Sequence, residues 1–219
     1  MKELQFYSND VCPFAYRVRL ALAEKQIDYE SIEVDLQNIP DDYYRISKAG
    51  KVPLIKHGDG IVWESTVINE YIEDAFPDIP LLPATAIERA QARLWIDYCN
   101  TSFQPNYCGL VFELDESKHD AVRKQLITAL DFMEQGLAES TGPYWMGEQL
   151  TLVDLTYYPF FEHTPVLSHY RQFNLDDKYQ QINNWIKIMQ TRPSVKQHSR
   201  NADFYIEAYK PYVDGSMNK

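Results

Sequence analysis

Hydrophobic positions in the first 76 residues follow two different periods, as in a domain that mixes strands and helices. Leu4-Gln5-Phe6 alternates between apolar and polar side chains and predicts a strand. A second extended stretch is indicated around Tyr29, Ile32 and Val34. Between these two, residues 13–25 carry apolar side chains at the spacing of one helix face, namely Phe14, Val18, Ala21 and Leu22. The pattern predicts a strand, a helix and a second strand.

Residues 53–63 predict a β-hairpin, because two apolar stretches flank the glycine-bearing loop Gly58-Asp59-Gly60. A further helix follows, and its apolar positions are Val67, Ile68, Tyr71, Ile72 and Ala75. Residues 76–83 then carry three prolines and suit a stiff linker. We therefore predict an α/β domain over residues 1–76 and a linker over 77–86.

Every strong pattern after the linker is helical, which predicts an all-α domain over residues 87–219. Thr151 is suited to be a helix N-cap, and Asp154 stands at the third position of that helix, as in a capping box. The other helical positions are Ala92, Trp95, Ile96 and Cys99, then Val122, Leu126, Ala129, Leu130, Met133 and Leu137, and finally Trp185, Ile186 and Met189.

Charge and cysteine content narrow the possible partners and compartment. The 21 basic and 32 acidic side chains give a net charge of −11, which argues against nucleic acid or an anionic membrane as the main partner. No apolar run approaches a membrane span, and the first residues lack the apolar core of a signal peptide. The cysteines are Cys12, Cys99 and Cys108, an odd and sparse set that fits the reducing cytoplasm. No spacing of Cys and His indicates a metal site.

Cys12 is the first candidate for chemistry. It precedes Pro13 at the predicted start of a helix, where unpaired N–H groups and the helix dipole stabilise a thiolate. We therefore predict a reactive thiol, the alternative being a buried cysteine that only packs. Ala15 stands where a two-cysteine motif would have its second cysteine, so a reaction at Cys12 has to be completed by an external thiol.

Two further motifs are ambiguous when each is taken alone. Val52-Pro53 opens the hairpin, either through an ordinary trans proline or through a cis proline that leaves the Val52 backbone free to pair with a peptide ligand. Glu64-Ser65 ends the hairpin. Ser65 suits a helix N-cap, and the same helix start could bind a ligand carboxylate while Glu64 meets an ammonium group.

The order of these motifs resembles the glutathione transferase superfamily, on its cysteine-using side: the omega, lambda and dehydroascorbate-reductase-like classes. The resemblance rests on Cys12-Pro13-Phe14-Ala15, Gly50-Lys51-Val52-Pro53 and Trp63-Glu64-Ser65, with the proline-rich linker and Leu150-Thr151-Leu152-Val153-Asp154 extending it over nearly the whole chain. It implies a thioredoxin-like N-terminal domain with a four-stranded mixed sheet, followed by a helical domain.

The resemblance also implies a glutathione site around a catalytic Cys12. Val52, before a cis Pro53, would pair with the cysteinyl part of glutathione, and Glu64 and Ser65 would hold its γ-glutamyl end. The other implied glutathione contacts are Phe14, which would line the site, and Lys51, which would reach the glycyl carboxylate. Ile39 departs from the pattern, since omega members often carry a lysine there.

Other residues are weaker candidates. Tyr16, Phe103, Tyr107 and Phe112 could line a second-substrate pocket, with core packing as the commoner alternative. Tyr7 matches the catalytic tyrosine of other classes, but we interpret it as structural because Cys12 holds the nucleophile position. Arg17 and Arg19 are interpreted as domain-interface or surface ion pairs.

The implied function is glutathione-dependent thiol transfer and reduction, with a mixed disulfide at Cys12 as the intermediate. Mixed disulfides, dehydroascorbate and glutathionyl adducts are the expected substrates, and glutathione is the only cofactor. The alternatives are conjugation or dehalogenation of electrophiles, and a non-enzymatic binding protein like the stringent starvation proteins. A role in detoxification and a homodimer follow from the resemblance, with a monomer as the alternative.

Overall fold

The computed structural model describes residues 3–216 and divides the chain into two compact units, Met1–Leu81 and Leu82–Lys219. The strands are β1 (Leu4–Ser8), β2 (Glu30–Glu33), β3 (Leu54–His57) and β4 (Gly60–Trp63). The first unit's helices are α1 (Pro13–Glu24) and α2 (Ser65–Ala75), with a 3₁₀ turn at Tyr43–Arg45. The second unit has α3 (Ala86–Tyr98), α4 (Gln104–Phe112), α5 (His119–Ala138), α6 (Leu152–Glu162), α7 (Thr164–Arg171), α8 (Gln180–Thr191), α9 (Pro193–His198) and α10 (Ala202–Val213). A π-helical turn, Cys99–Phe103, joins α3 to α4, and a 3₁₀ turn, Glu116–Lys118, precedes α5.

The sheet of the first unit has the strand order β2-β1-β3-β4. β1 pairs with β2 in parallel and with β3 antiparallel, while β3 and β4 form the antiparallel hairpin expected around Gly58-Asp59-Gly60. The crossover through α1 makes the parallel pair possible, because parallel neighbours cannot be joined by a tight turn. The expectation of a four-stranded mixed sheet with helices is confirmed.

Alternation along β1 sends Leu4 and Phe6 into the core of the first unit, where both are buried. Val18 and Leu22 from α1 and Ile72 from α2 belong to the same core, as the helical spacing predicts. Three positions differ from the pattern. Phe14 is only half-buried at the start of α1, and Val67 and Ala75 are exposed on α2.

The start of α6 is held by a buried carboxylate. Thr151 and Asp154 form the predicted capping box: Asp154 Oδ2 accepts hydrogen bonds from the Thr151 backbone N–H at 2.8 Å and from its hydroxyl at 3.1 Å. Asp154 Oδ1 accepts from the Trp145 N–H at 3.1 Å and from the Trp185 indole at 2.8 Å. One side chain thereby joins the preceding loop, α6 and α8 of the second unit.

The described residues, 3–216, were searched for disulfides, metal-binding clusters and membrane-spanning helices. Cys12, Cys99 and Cys108 form no disulfide within residues 3–216. Across the same residues, His, Cys, Asp and Glu form no cluster able to hold a metal ion. None of the described helices combines the length and the apolar character that crossing a membrane requires.

Candidate functional site

The loop that leads from β1 into α1 is fixed by Asn9. Its side-chain oxygen accepts from the Val11 N–H at 3.0 Å, its amide donates to the Val34 carbonyl at 3.0 Å, and its own carbonyl accepts from the Cys12 N–H at 3.1 Å. Cys12 is thereby held as the N-cap of α1 with extended backbone angles, and Pro13 occupies the first helical position. The predicted placement of this cysteine at a helix start is confirmed.

The thiol of Cys12 is subject to opposing effects. Burial raises its pKa above the ordinary value, and this effect outweighs the lowering by the backbone N–H groups of Ala15 and Phe14 and by the charges of Arg17 and Arg19. The helix start alone would lower the pKa of this thiol, whereas desolvation of the partly buried sulfur raises it. The donors that stabilise a thiolate are present, and the reactivity of Cys12 stays a prediction.

Arg17 and Arg19 are buried in the described structure, so of the two interpretations, domain-interface or surface ion pairs, the surface one is wrong. The Arg17 guanidinium donates to Ser65 Oγ at 3.2 Å and lies 5.2 Å from the centre of the Phe14 ring. Arg19 is 2.9 Å from the carboxylate of Asp10 and also donates to a β1 hydroxyl. These arginines therefore brace the loop and helix around the thiol.

A cleft of about 340 Å³ lies in the first unit, and it brings together the six residues that the sequence assigned to glutathione. They are Phe14, Lys51, Val52, Pro53, Glu64 and Ser65. The Val52–Pro53 peptide bond is cis, so the ordinary trans alternative is wrong. The Val52 carbonyl oxygen lies 3.8 Å from the Cys12 sulfur, which connects the thiol to the cleft.

The entry to α2 differs in detail from the sequence interpretation. Glu64 is the N-cap and Ser65 is already the first helical residue, so the prediction that Ser65 caps the helix is wrong. Glu64 has φ 67°, which costs a non-glycine residue energy and is found most often at functional positions. The Glu64 side chain makes no capping hydrogen bond to α2, and Glu64 and Ser65 line the cleft. The first N–H groups of a helix have no intrahelical partner, so this helix start suits a bound anion.

The charges of the cleft suit a ligand that carries both signs. Lys48 and Lys51 are exposed on one segment of its lining, and the carboxylate of Glu64 is exposed on another. Ile39, which stands where omega members often carry a lysine, packs against the hydrophobic core. The two lysines therefore supply the cations of this cleft in a protein whose net charge is −11.

Sequence reasoning missed part of the lining. Ser47, Lys48 and Trp63 line the cleft, and Trp63 is 62% exposed. Trp63 stood inside a quoted motif, next to Glu64, and that adjacency was the only signal for it. Residues 46–49 follow no clear period, so only the folded chain shows that they line the cleft.

The residues expected at a second-substrate pocket have different environments. Tyr16, Phe103 and Tyr107 are buried, whereas Phe112 is 42% exposed. The Phe103 ring stacks on Phe161 at 5.4 Å and also packs near Tyr107 within the second unit. These contacts are those of the core-packing alternative. The pocket role of all four residues stays a prediction.

Tyr7 is half-buried on β1, and its ring lies 5.5 Å from that of Tyr43. Burial and the nearby carboxylates of Glu30 and Asp42 raise the pKa of its phenol. A phenol with a raised pKa stays protonated at neutral pH and can only act as a hydrogen-bonding group there. The packing of Tyr7 against Tyr43 is what a structural role predicts, and the interpretation of Tyr7 as structural stays a prediction.

Comparisons with known proteins find matches in both units of the chain. Residues 11–75 match the family model "Glutathione S-transferase, N-terminal domain", and residues 115–187 match "Glutathione S-transferase, C-terminal domain". A rice protein, Oryza sativa subsp. japonica, described as "Probable glutathione S-transferase DHAR1, cytosolic", is 30% identical over 93% of this chain and 91% of its own length.

Two solved structures are similar over nearly their whole lengths. Glutathione transferase Omega 3C from Trametes versicolor has a TM-score of 0.86 and 25% identity, with 100% of this chain and 94% of that chain covered. Rice GST1 in complex with glutathione has a TM-score of 0.86 and 27% identity, with 97% of both chains covered.

Proposed function

The chain belongs to the glutathione S-transferase family and is a glutathione transferase; from that premise we propose that Cys12 performs glutathione-dependent thiol transfer and reduction. The observation that carries this proposal is the contact at 3.8 Å between the Cys12 sulfur and the carbonyl of Val52, a residue of the cleft. A bound tripeptide thiol that pairs with Val52 comes close to Cys12 in this arrangement.

Glutathione has matching groups for each part of the cleft. Its γ-glutamyl carboxylate suits the uncapped start of α2, and its ammonium group suits Glu64. The glycyl carboxylate suits Lys51, with Lys48 as a second cation, and Phe14 provides an apolar wall. Pairing of the cysteinyl backbone with Val52 follows the geometry of an added strand.

The reaction has two exchange steps. The Cys12 thiolate attacks the glutathionyl sulfur of a mixed disulfide, a Cys12–glutathione disulfide forms, and the other thiol leaves as its thiolate. A second glutathione thiolate then attacks the glutathionyl sulfur, which gives glutathione disulfide and restores Cys12. Ala15 stands in place of a second cysteine, so the external thiol is required. Arg17 and Arg19 favour the thiolate through their charge.

Small mixed disulfides and glutathionylated proteins are reduced by this route, and glutathionyl adducts of ketones or quinones join it when Cys12 attacks their glutathionyl sulfur and the carbon leaves as an enolate that is then protonated. Dehydroascorbate requires a different first step: Cys12 adds to its carbonyl carbon, one glutathione thiolate attacks the Cys12 sulfur and releases ascorbate, and a second glutathione restores Cys12. These substrates are compatible with detoxification. We place the protein in the cytoplasm, which fits its cysteines without disulfides and its similarity to a relative described as cytosolic. A homodimer and a monomer remain alternative assemblies, and sedimentation equilibrium distinguishes them.

Replacement of the nucleophile tests the proposed function. Cys12→Ser should lower turnover of a glutathionyl mixed disulfide by about 100-fold or more, because a hydroxyl is a far weaker nucleophile than a thiol at neutral pH. Cys108→Ser is the matched control and should retain wild-type turnover. Full activity of Cys12→Ser would contradict the cysteine mechanism, whereas a gain in conjugation of an aromatic electrophile would show that a hydroxyl can activate glutathione here.

A further inference from the structure

Two hydroxyl groups outside the quoted motifs bind the backbone carbonyl of Lys51, a residue that lines the cleft. The Tyr43 phenol donates to the Lys51 carbonyl oxygen at 2.8 Å, and the Ser47 hydroxyl is 3.1 Å from the same oxygen. Ser47 Oγ also accepts from the Lys51 N–H at 3.1 Å. Tyr43 is buried in the 3₁₀ turn, and Ser47 follows that turn, so both donors belong to one short segment.

These bonds fix the direction of the next peptide group. The Lys51 carbonyl and the Val52 N–H belong to the same planar unit, in which the two groups point in opposite directions when the bond is trans. Among the described residues the Val52–Pro53 bond is the cis one, so the Lys51–Val52 unit is trans. Holding the carbonyl on Tyr43 and Ser47 therefore aims the Val52 N–H away from them.

The backbone between Tyr43 and Val52 is conformationally restricted. Gly50 adopts φ 61°, a conformation that favours glycine, and an added Cβ there would lie 2.8 Å from the Tyr44 ring. Ser47 binds Lys51 on both its N–H and its carbonyl, which closes a small ring of hydrogen bonds. The backbone entering Val52 is thus fixed by side chains that precede it in the sequence.

We propose that Tyr43 and Ser47 are positioning residues for glutathione, which hold the Lys51–Val52 peptide so that the Val52 backbone meets the cysteinyl part of the ligand. This inference rests on the proposed function, because it takes glutathione as the occupant of the cleft. Tyr43 acts through Lys51 and Val52, and its hydroxyl is committed to the Lys51 carbonyl. Loss of either hydroxyl lets the peptide rotate and weakens ligand pairing at Val52.

The test compares Tyr43→Phe and Ser47→Ala with Tyr44→Phe as the matched control. Tyr44 lies in the same turn and is 44% exposed, so its replacement removes a hydroxyl from the same segment without touching the Lys51 carbonyl bonds. Binding of S-methylglutathione is measured by calorimetry, since this probe cannot form a disulfide with Cys12. Thermal unfolding and the iodoacetamide alkylation rate of Cys12 are recorded for every variant.

We expect Tyr43→Phe and Ser47→Ala each to raise the Kd of S-methylglutathione by about 5-fold, the effect of one lost hydrogen bond. KM for glutathione should rise in parallel while kcat stays within about 2-fold. Ser47→Thr, which keeps the hydroxyl, should bind like the wild type, as should Tyr44→Phe. Alkylation of Cys12 should be unchanged, because the thiol itself is untouched.

The outcomes separate this inference from the proposed function. Unchanged Kd values in both variants, with a wild type that binds, would overturn the positioning role and leave the proposed function in place. An equal rise in Tyr44→Phe would overturn it as well, since the effect would then belong to the turn as a whole. Absence of binding by the wild type would overturn both.

Discussion

The surroundings of Cys12 have opposing effects on the pKa of its thiol, and the net direction depends on tertiary structure. The helix start and the buried arginines favour the thiolate, but burial raises the pKa of the thiol by more. A thiol with a higher pKa is ionised to a smaller extent, and its thiolate is intrinsically more nucleophilic. The raised pKa of Cys12 therefore corresponds to a smaller ionised fraction of a thiolate that is more nucleophilic once formed.

The raised pKa of the Cys12 thiol predicts how its alkylation rate depends on pH. Below a raised pKa the thiol is mostly protonated, so the rate of reaction with iodoacetamide should increase by almost 10-fold for each pH unit between about pH 7 and 8.5. The difference in rate between the wild type and Cys12→Ser isolates the signal of this residue. A plateau reached below pH 7 would show a lowered pKa and contradict the balance described above.

At the scale of elements, side-chain amide, hydroxyl and carboxylate groups hold the loops between helices and strands in place. Asn9 fixes the entry to α1, Tyr43 and Ser47 fix the peptide before β3, and Asp154 fixes the entry to α6. These bonds replace the intrahelical and ladder bonds that the ends of elements lack. The site and the stability of the fold thus depend on the same kind of interaction.

Asp154→Asn should destabilise the protein by about 2–3 kcal/mol, because an amide NH₂ cannot accept the hydrogen bonds that reach both carboxylate oxygens. Urea unfolding measures the loss. Asp203→Asn is the matched control, since Asp203 is exposed in the first turn of α10 and should change stability by less than about 0.5 kcal/mol. If Asp154→Asn also lost less than about 0.5 kcal/mol of stability, the role given to the buried carboxylate would be contradicted.

The predictability of the chain also differs between elements. The hairpin, α1 and the capping box at Thr151 followed from hydrophobic period and local chemistry, which act over a few residues. The six cleft residues expected to bind glutathione followed from the resemblance, since no spacing brings Phe14 and Glu64 together. Tyr43 and Ser47 carried no local signal, because their role depends on a carbonyl that only the folded turn brings near.

At the scale of the whole molecule, the sequence could not show where charged side chains lie or which of them are buried. A protein of net charge −11 presents Lys48 and Lys51 at the cleft, and only the folded structure shows that these cations share one lining with Glu64. Arg17 and Arg19 are placed by the surroundings of α1, so their burial was invisible in a local pattern. The sum of these placements is a cleft with charges of both signs beside Cys12, which suits the zwitterionic thiol of the proposed function.

The central claim is that Cys12 forms a disulfide with glutathione, and intact-protein mass spectrometry tests it most directly. The protein is incubated with glutathione disulfide, quenched with acid, and digested to locate the modification. The account predicts one glutathionyl group, on Cys12, that reduced glutathione removes and that Cys12→Ser does not acquire. No adduct on Cys12, or an equal adduct in Cys12→Ser, would contradict it.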